Sequence, residues 1–213
     1  MDEIVLVKDG VLSCELNTII DNYVKKYPNL IKVVTLEKNV GLGKALNFGL
    51  EYCSNEIVAR MDTDDICYPD RFERQIHFLK QNQEISVVGG SIQEFNERIG
   101  DLNQIRRLPF TNKELLAFSK YRNPLNHPTV MFKKSHILSV GSYQDMLFFE
   151  DYYLWVRLLK KGYMLANIQE PILHFRVGND MIGRRKGLKY ALLEMKFLKK
   201  IREIKYISNK EYI

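Results

Sequence analysis

The segment Glu56-Ile57-Val58-Ala59-Arg60-Met61-Asp62-Thr63-Asp64-Asp65 decides the fold of this chain. Its apolar half is typical of a buried strand, and that strand runs directly into three carboxylates. Carboxylates at this density repel one another and are tolerated best around a divalent cation, because Mg²⁺ and Mn²⁺ prefer oxygen ligands and are often shared with substrate phosphates. The pattern indicates a metal that holds a phosphate. A polar turn leading into a helix cap is the alternative explanation.

Strand and helix patterns alternate on both sides of this segment. The strand patterns cover residues 4–7, 31–36, 57–61 and 85–90, and the helix patterns cover residues 16–26, 44–52 and 70–82. This alternation predicts an α/β fold with a mostly parallel, helix-flanked sheet. Ligands of such sheets bind beyond the carboxyl ends of the strands. We therefore expect Asp9, Gly41 and the Asp62–Asp65 cluster to converge at one edge.

The second half of the chain is less regular. Helix patterns cover residues 112–121, 152–161 and 187–207, and strand patterns cover residues 129–132 and 172–177. The chain has 213 residues, of which 46% are hydrophobic, which suits one large domain or a domain with a helical appendage.

The cysteines and the apolar runs bear on the cellular compartment. Cys14, Cys53 and Cys67 lack metal-type spacing, and an odd number of cysteines favours a reducing compartment. The sequence shows no apolar run near 18 residues and no signal-peptide pattern at Met1. We expect a cytoplasmic protein.

The net charge of +6 belongs to one end of the chain. Residues 184–213 hold ten Lys or Arg against three Asp or Glu, which divides the chain into a body, 1–183, and a basic segment, 184–213. The apolar residues of that segment fall on one helical stripe: Leu188, Leu192, Met195, Leu198, Ile201 and Ile204. Such a helix suits an anionic membrane surface, and a helix packed on the body with a solvated basic face is the alternative. Nucleic acid is disfavoured, because aromatic residues do not alternate with the charges.

Five motifs, in this order along the chain, resemble glycosyltransferase family 2, whose members share the GT-A fold. They are Glu3 to Gly10, Asn39 to Asn47, Ala59 to Asp65 with Pro69, Arg71 and Phe72, Asn126 to Met131, and Phe149 to Trp155. The resemblance covers about residues 1–177. It implies inverting transfer from a nucleotide-sugar, usually a UDP-sugar. For the bacterial surface-polysaccharide type, it also implies a saccharide or lipid-linked acceptor.

The resemblance implies a role for each matching residue. Asp9 would read the base, while the Gly41 loop and Lys44 would lie against the nucleotide and its diphosphate. Asp62 and Asp64 would form the Asp-x-Asp pair that holds the ribose and a Mn²⁺ or Mg²⁺ ion, with Asp65 behind them. The ordinary alternatives are a turn residue at Asp9 and a solvated lysine at Lys44.

The resemblance also implies a catalytic base. Asp151 would take the proton from the acceptor hydroxyl, and Glu150 is the neighbouring candidate that would orient the site. The alternative for both is a pair of acids favoured by the dipole at a helix N-terminus. Trp155 follows one turn later and would line the acceptor pocket or lie in the core. His127 would lie near the acceptor or in a turn.

The chain departs from the family pattern at two places. It opens on what would be the second strand of the family, so that a strand–helix unit of roughly 30 residues is missing and a sheet edge is expected to be exposed. The family's Arg-x-His after the last strand is here Arg176-Val177-Gly178, with His174 two residues too early. Arg176 would still face the diphosphate, and Asp180 is a substitute candidate for the metal.

Three functions fit these observations. The first is a metal-dependent inverting glycosyltransferase, cytoplasmic or attached to the inner face of the plasma membrane. The second is an aspartyl-phosphate phosphatase with Asp62 as nucleophile, which leaves Asp9, Lys44 and Asp151 without roles. The third is an inactive truncated remnant that serves as a membrane-associated binding module.

Overall fold

The computed structural model describes residues 2–178, 183, 186–209 and 211. The strands are β1 Ile4–Asp9, β2 Ile31–Leu36, β3 Ile57–Ala59, β4 Ile66–Cys67, β5 Ile85–Phe95, β6 Gln104–Arg106, β7 Met131–Lys133 and β8 Met164–Arg176. The helices are α1 Cys14–Lys26, α2 Leu42–Tyr52, α3 Arg71–Gln81, α4 Asn112–Phe118, α5 Lys134–Ser139, α6 Glu150–Lys160 and α7 Gly187–Glu203, with a 3₁₀ turn at His127–Thr129.

The described strands form two sheets. β1 and β2 make a parallel pair, and the larger sheet has the order β3-β7-β5-β8-β4, with β6 paired to β5. The predicted α/β class is confirmed, and β5 and β8 form a parallel pair within the larger sheet. The other four pairings, however, are antiparallel, so the sheet is more mixed than the alternation of strands and helices predicts. For β5 and β6 the reason is that the chain beyond Phe95 returns through the short strand β6, without the helical crossover that a parallel pairing requires.

The core lies on both faces of β5. Val87 packs in a cluster with Leu50 of α2 and with Trp155 and Leu158 of α6. Val88, which points to the other face, packs with Leu79 of α3 and other residues around that helix. Helices α2 and α3 therefore cover opposite faces of the sheet.

A cleft of about 1620 Å³ separates the two sheets. Ile4 to Val7 of β1 line one side and Ile57 to Ala59 of β3 line the other. On the edge away from the cleft, β1 pairs with β2 and β3 pairs with β7. In the described part of the chain, the edges of β1 and β3 that face the cleft are therefore unpaired. The residues of β1 are only partly buried, although four of them are aliphatic, and α1 contains no fully buried residue.

The basic segment forms a helix that is attached to the body. Phe197 and Ile201 of α7 are buried in a cluster with Phe149, Tyr152 and Val156. The predicted stripe is divided, because Ile201 faces the body while Leu188, Leu192 and Met195 are exposed. No helix among the described residues is long and apolar enough to cross a bilayer.

Candidate active site

The predicted nucleotide residues lie at the carboxyl end of β1. The Asp9 carboxylate accepts a hydrogen bond from the backbone N–H of Val40 at 2.8 Å, which ties the strand to the loop before α2. Gly41 has φ +88°, a conformation that favours glycine, and it caps α2. Lys44 lies exposed in the first turn of that helix. Asp9, Gly41 and Asp62 all line the same cleft.

The first turns of α2 and α6 lie side by side. A Cβ atom at Gly43 would come within 3.4 Å of the Glu150 Cβ, so glycine permits the close approach. The Asn47 amide donates to the Tyr143 carbonyl at 2.7 Å and accepts from the Tyr143 N–H at 2.9 Å. This reciprocal pair fixes the segment before α6 against α2.

The three carboxylates after β3 converge. One oxygen from each of Asp62, Asp64 and Asp65 lies within 4.8 Å of the others. Asp65 is buried and accepts from the Arg176 backbone N–H at 2.9 Å, while its second oxygen is buried without a hydrogen-bond partner. Burial raises the pKa of Asp65 to about 6, and the charges of Asp62 and Asp64 act in the same direction.

Two arginines that the sequence did not single out for a role hold this loop. The buried Arg60 donates to both oxygens of Asp62, at 2.8 and 2.5 Å. The fully buried Arg71 donates to the Arg60 carbonyl at 2.8 Å and to the Gln75 amide oxygen at 3.0 Å. In the sequence, only the place of Arg71 in the third family motif could have indicated its importance, because an arginine in a helix pattern is otherwise predicted to be exposed to solvent.

Arg176 contacts the acidic loop through its backbone and its side chain. Its Nε donates to the Asp64 carbonyl at 3.1 Å, and its guanidinium lies 4.4 Å from the centre of the Phe95 ring. His174 stacks on Tyr68 with ring centres 4.3 Å apart. Asp180, the substitute metal candidate, lies outside the described residues.

The predicted base lies at the start of α6. Asp151 is 8% exposed, and its Oδ2 accepts a hydrogen bond from the Asn123 amide at 2.7 Å. The His127 Nδ1 lies 4.0 Å from the same oxygen, and the His127 Nε2 lies 2.9 Å from the Tyr143 hydroxyl. Burial lowers the pKa of His127 well below its usual value, so the ring is neutral. Glu150 beside it is half-buried.

The pKa of the buried Tyr143 hydroxyl responds to the charges of both groups of carboxylates. Burial raises its pKa most, and the charges of Asp151, Glu150 and Asp62 raise it further, while that of Arg60 lowers it. Carboxylates after β3 and carboxylates at the start of α6 therefore act on one buried hydroxyl. Trp155, in contrast, is fully buried in the core cluster rather than lining a pocket.

The acidic loop suits a divalent cation. All three side chains offer carboxylate oxygens, which are the ligands that Mg²⁺ and Mn²⁺ prefer. One buried oxygen of Asp65 accepts no hydrogen bond, and a cation beside it would supply the missing contact. Asp62 and Asp64 would hold the ion. The Arg60 pairing of Asp62 opposes this, because the ion would share or displace the guanidinium.

The fold that carries these residues is that of the GT-A glycosyltransferases. The family model described as "Glycosyl transferase family 2" matches residues 1–190, and the chain belongs to that family. Similar proteins include the amylovoran biosynthesis glycosyltransferase AmsE of Erwinia amylovora, 43% identical over 91% of this chain and 71% of its own length. Another is the Escherichia coli UDP-Gal:alpha-D-GlcNAc-diphosphoundecaprenol beta-1,3-galactosyltransferase, 40% identical over 100% of this chain and 76% of its own length.

Solved structures confirm the fold. S. aureus TarS 1-349 in complex with UDP-GlcNAc matches 92% of this chain and 56% of its own, with a TM-score of 0.68 at 17% identity. The mannosyltransferase PcManGT from Pyrobaculum calidifontis, in complex with GDP-Man and Mn²⁺, matches 92% of this chain and 51% of its own, with a TM-score of 0.64 at 14% identity. The chain thus spans about half the length of these two proteins.

Proposed function

We propose that this chain is a metal-dependent inverting glycosyltransferase that moves a sugar from a UDP-sugar to a lipid-linked saccharide in bacterial polysaccharide biosynthesis. The observation that carries the proposal is the cluster of Asp62, Asp64 and Asp65, which have one oxygen each within 4.8 Å of the others. This cluster lies beside the cleft that Asp9, Gly41 and Asp62 line.

The donor would lie along the carboxyl end of the cleft. Asp9 would accept from the base, while the α2 N-terminus after Gly41 and the exposed Lys44 would contact the diphosphate. A cation held by Asp62 and Asp64 would neutralise the charge that develops on the diphosphate. Arg176 already fixes the Asp64 backbone, so its proposed role toward the diphosphate includes holding this loop.

Asp151 would act as the general base. It would accept the proton of the acceptor hydroxyl while that oxygen attacks the anomeric carbon, and the bond from that carbon to the diphosphate oxygen would break in the same step. Glu150, half-buried beside the first turn of α2, would orient the donor side of the site.

The relatives support the choice of donor and acceptor. The E. coli relative is named for UDP-Gal and a diphosphoundecaprenol acceptor, and AmsE is named for amylovoran biosynthesis. UDP-galactose with a GlcNAc-diphospho-lipid is therefore the first pair to assay.

Calorimetry with UDP and Mn²⁺ tests the site. Wild-type protein is expected to bind UDP only when Mn²⁺ is present, and the Asp64→Ala variant is expected to lose this metal-dependent binding. Asp70→Ala is the matched control, because Asp70 is exposed at the start of α3. Metal-independent UDP binding, or equal binding by both variants, would contradict the metal site.

The same preparation separates the alternatives. The phosphatase hypothesis predicts a phosphoenzyme at Asp62, and the family match argues against it. The remnant hypothesis predicts neither sugar transfer nor metal-dependent UDP binding. Transfer from UDP-galactose that is lost in Asp151→Asn, with UDP binding retained, would support the transferase.

We propose that α7 attaches the enzyme to the cytoplasmic face of the membrane. The exposed apolar residues Leu188, Leu192 and Met195 lie beside exposed lysines such as Lys189 and Lys196. Apolar contact together with lysine charge suits anionic lipid, where a lipid-linked acceptor would reside.

Flotation with phosphatidylglycerol vesicles tests this attachment. A variant with Leu188, Leu192 and Met195 all replaced by serine is expected to lose co-flotation. Its fold is expected to stay intact, because Phe197 and Ile201 supply the contacts with the body. The control variant replaces Leu16 and Ile19, which are exposed on α1, by serine. Equal flotation of both variants would disprove the attachment.

We also propose that the body, 1–183, is incomplete as a sheet and takes one further strand in the cleft between β1 and β3. Both facing edges are unpaired in the described part of the chain, and the lining is mostly aliphatic. Because α2 and α3 cover opposite faces, the strand would be apolar on both faces. A synthetic seven-residue peptide of β-branched residues is expected to protect the β1 and β3 amides from hydrogen exchange. A version with a central proline is the control, and equal exchange with either peptide would refute the proposal.

A further inference from the structure

Arg60 engages the metal candidate Asp62 through both oxygens of its carboxylate. The Arg60 Nη1 lies 2.8 Å from Asp62 Oδ2, and the Nη2 lies 2.5 Å from Asp62 Oδ1. Bidentate pairs of this kind are among the strongest hydrogen bonds between side chains. An ion that binds Asp62 therefore competes with a guanidinium that already occupies it.

The backbone of Arg60 is fixed, whereas its side chain depends on Asp62. The Arg60 N–H donates to the Val130 carbonyl at 2.9 Å, and the Arg60 carbonyl accepts from Arg71 at 2.8 Å. The Arg60 side chain is only 6% exposed, and its Nε donates to none of the described residues. Asp62, whose side chain is 35% exposed, is thus the anion that the contacts show paired with a buried cation.

Loss of Asp62 as a partner would leave this cation buried and unpaired. Removal of one partner from a buried ion pair is strongly unfavourable, because the remaining charge is neither hydrated nor neutralised. A divalent ion alone is therefore expected to bind Asp62 weakly. The penalty falls if a second anion replaces Asp62 beside the guanidinium.

The diphosphate of the nucleotide would be that second anion. Arg60 lines the same cleft as Asp9 and Gly41, where the donor is proposed to lie. Guanidinium groups bind phosphate oxygens in the same bidentate manner as carboxylate oxygens. The charge of Arg60 is also felt beyond the acidic loop: burial raises the pKa of Tyr143, and the Arg60 charge acts against this rise.

We propose that Arg60 couples metal binding to nucleotide binding. It holds Asp62 in the metal-free protein, yields this carboxylate to the ion, and pairs with the diphosphate that binds together with the ion. This inference rests on the proposed function, because it requires a metal at Asp62 and Asp64. Since coupling between two ligands is reciprocal, UDP strengthens Mn²⁺ binding by the same factor as Mn²⁺ strengthens UDP binding.

Electron paramagnetic resonance of unbound Mn²⁺ measures the ion affinity with and without UDP, once the Mn²⁺ that UDP binds in protein-free samples is subtracted. Arg60→Met removes the competing cation and keeps an unbranched side chain. Its Mn²⁺ affinity without UDP is expected to rise about 5- to 150-fold, the usual range of coupling between two sites, and the gain from UDP is expected to shrink by a similar factor. Arg74→Met is the matched control, because Arg74 pairs with Glu170 outside the acidic loop and should leave both affinities unchanged.

Arg60→Lys keeps the buried cation and is the variant of choice if Arg60→Met unfolds. An ammonium group cannot match both carboxylate oxygens as a guanidinium does, so the Mn²⁺ affinity without UDP is expected to lie between those of wild type and Arg60→Met. A folded Arg60→Met variant, or in its place a folded Arg60→Lys variant, that binds Mn²⁺ alone no more tightly than wild type would overturn the proposal.

Nuclear magnetic resonance of the isotope-labelled wild type follows the release of Arg60 without any substitution. The Arg60 Nη protons are expected to give separate signals while the pairing with Asp62 hinders rotation of the guanidinium. Saturation with Mg²⁺, which is diamagnetic, is expected to average these signals, and UDP should separate them again. The Arg176 N–H, which donates to Asp65, reports the bound ion. Unchanged Arg60 signals at Mg²⁺ saturation would contradict the release.

The Asp64→Ala variant separates failure of this inference from failure of the proposed function. If Mn²⁺ binding is lost in Asp64→Ala but not increased in the Arg60 variants, the metal site stands and only the coupling role of Arg60 fails. If wild type and Asp64→Ala bind Mn²⁺ and UDP alike, the proposed metal site fails as well.

Discussion

Asp65 makes the acidic loop a source of instability at neutral pH when no metal is bound. Its pKa in the folded protein is about 6, against 3.8 for an ordinary Asp, and burial is the main cause. The folded state thus binds the proton more tightly than the unfolded chain does. Stability is expected to rise as the pH falls through 6 towards 4, and the penalty is fully present above pH 6.

The size of this effect follows from the pKa difference. A change from 3.8 to about 6 corresponds to about 3 kcal/mol. Solvent still screens part of the loop, where Asp64 is exposed, so we expect about 1–2 kcal/mol. Asp65→Asn removes the charge and keeps an oxygen that accepts from the Arg176 N–H.

Urea and thermal unfolding in EDTA measure the difference. At pH 8 the Asp65→Asn variant is expected to exceed wild type by about 1–2 kcal/mol, or about 2–8 °C in Tm for a chain of this size. At pH 4 the two proteins are expected to unfold alike. Asp70→Asn, at an exposed carboxylate 3.8 Å from Arg74, is the control and should give no gain. An Asp65→Asn variant that is less stable than wild type at pH 8, or equally stable, would refute the reasoning.

Three further changes test the packing around the site by the free energy of unfolding. Phe197→Ala is expected to lose about 3–5 kcal/mol because the ring is buried between α7 and α6, whereas Met195→Ala, 59% exposed on the same helix, should be near neutral; equal losses would contradict the packing of α7. Gly49→Ala places a Cβ 2.6 Å from Val7 Cγ2 and is expected to cost about 1–3 kcal/mol, so a neutral result would show that α2 lies farther from β1. Arg71→Met leaves the Arg60 carbonyl and the Gln75 amide oxygen without the hydrogen bonds that Arg71 donates, and it is expected to cost about 2–4 kcal/mol. The same change should weaken Mn²⁺ binding. Arg74→Met, at a half-exposed arginine one turn later, serves as the control.

The long periodic elements could be predicted from the sequence because their apolar spacing is set by the core they bury. Helix 70–82 and strand 57–61 differ from α3 and β3 by only a residue or two at most ends. The short elements β4, β6 and α5 were missed, since two to six residues carry too little periodicity. Strand β8 begins eight residues before the predicted strand, because the buried Leu165 and Ala166 precede a polar stretch that obscured the pattern.

The sequence by itself determined the class of protein, since the five motifs, in their order along the chain, resemble glycosyltransferase family 2, and the family match confirms this resemblance. Only the tertiary structure decided what surrounds them. The Arg60 pairing of Asp62 depends on burial, while the Asn123 hydrogen bond to Asp151 and the His127 hydrogen bond with Tyr143 join residues that are farther apart in the chain. Periodicity reports which face of an element is apolar, whereas the partner of a buried polar group is fixed by how the elements pack against one another.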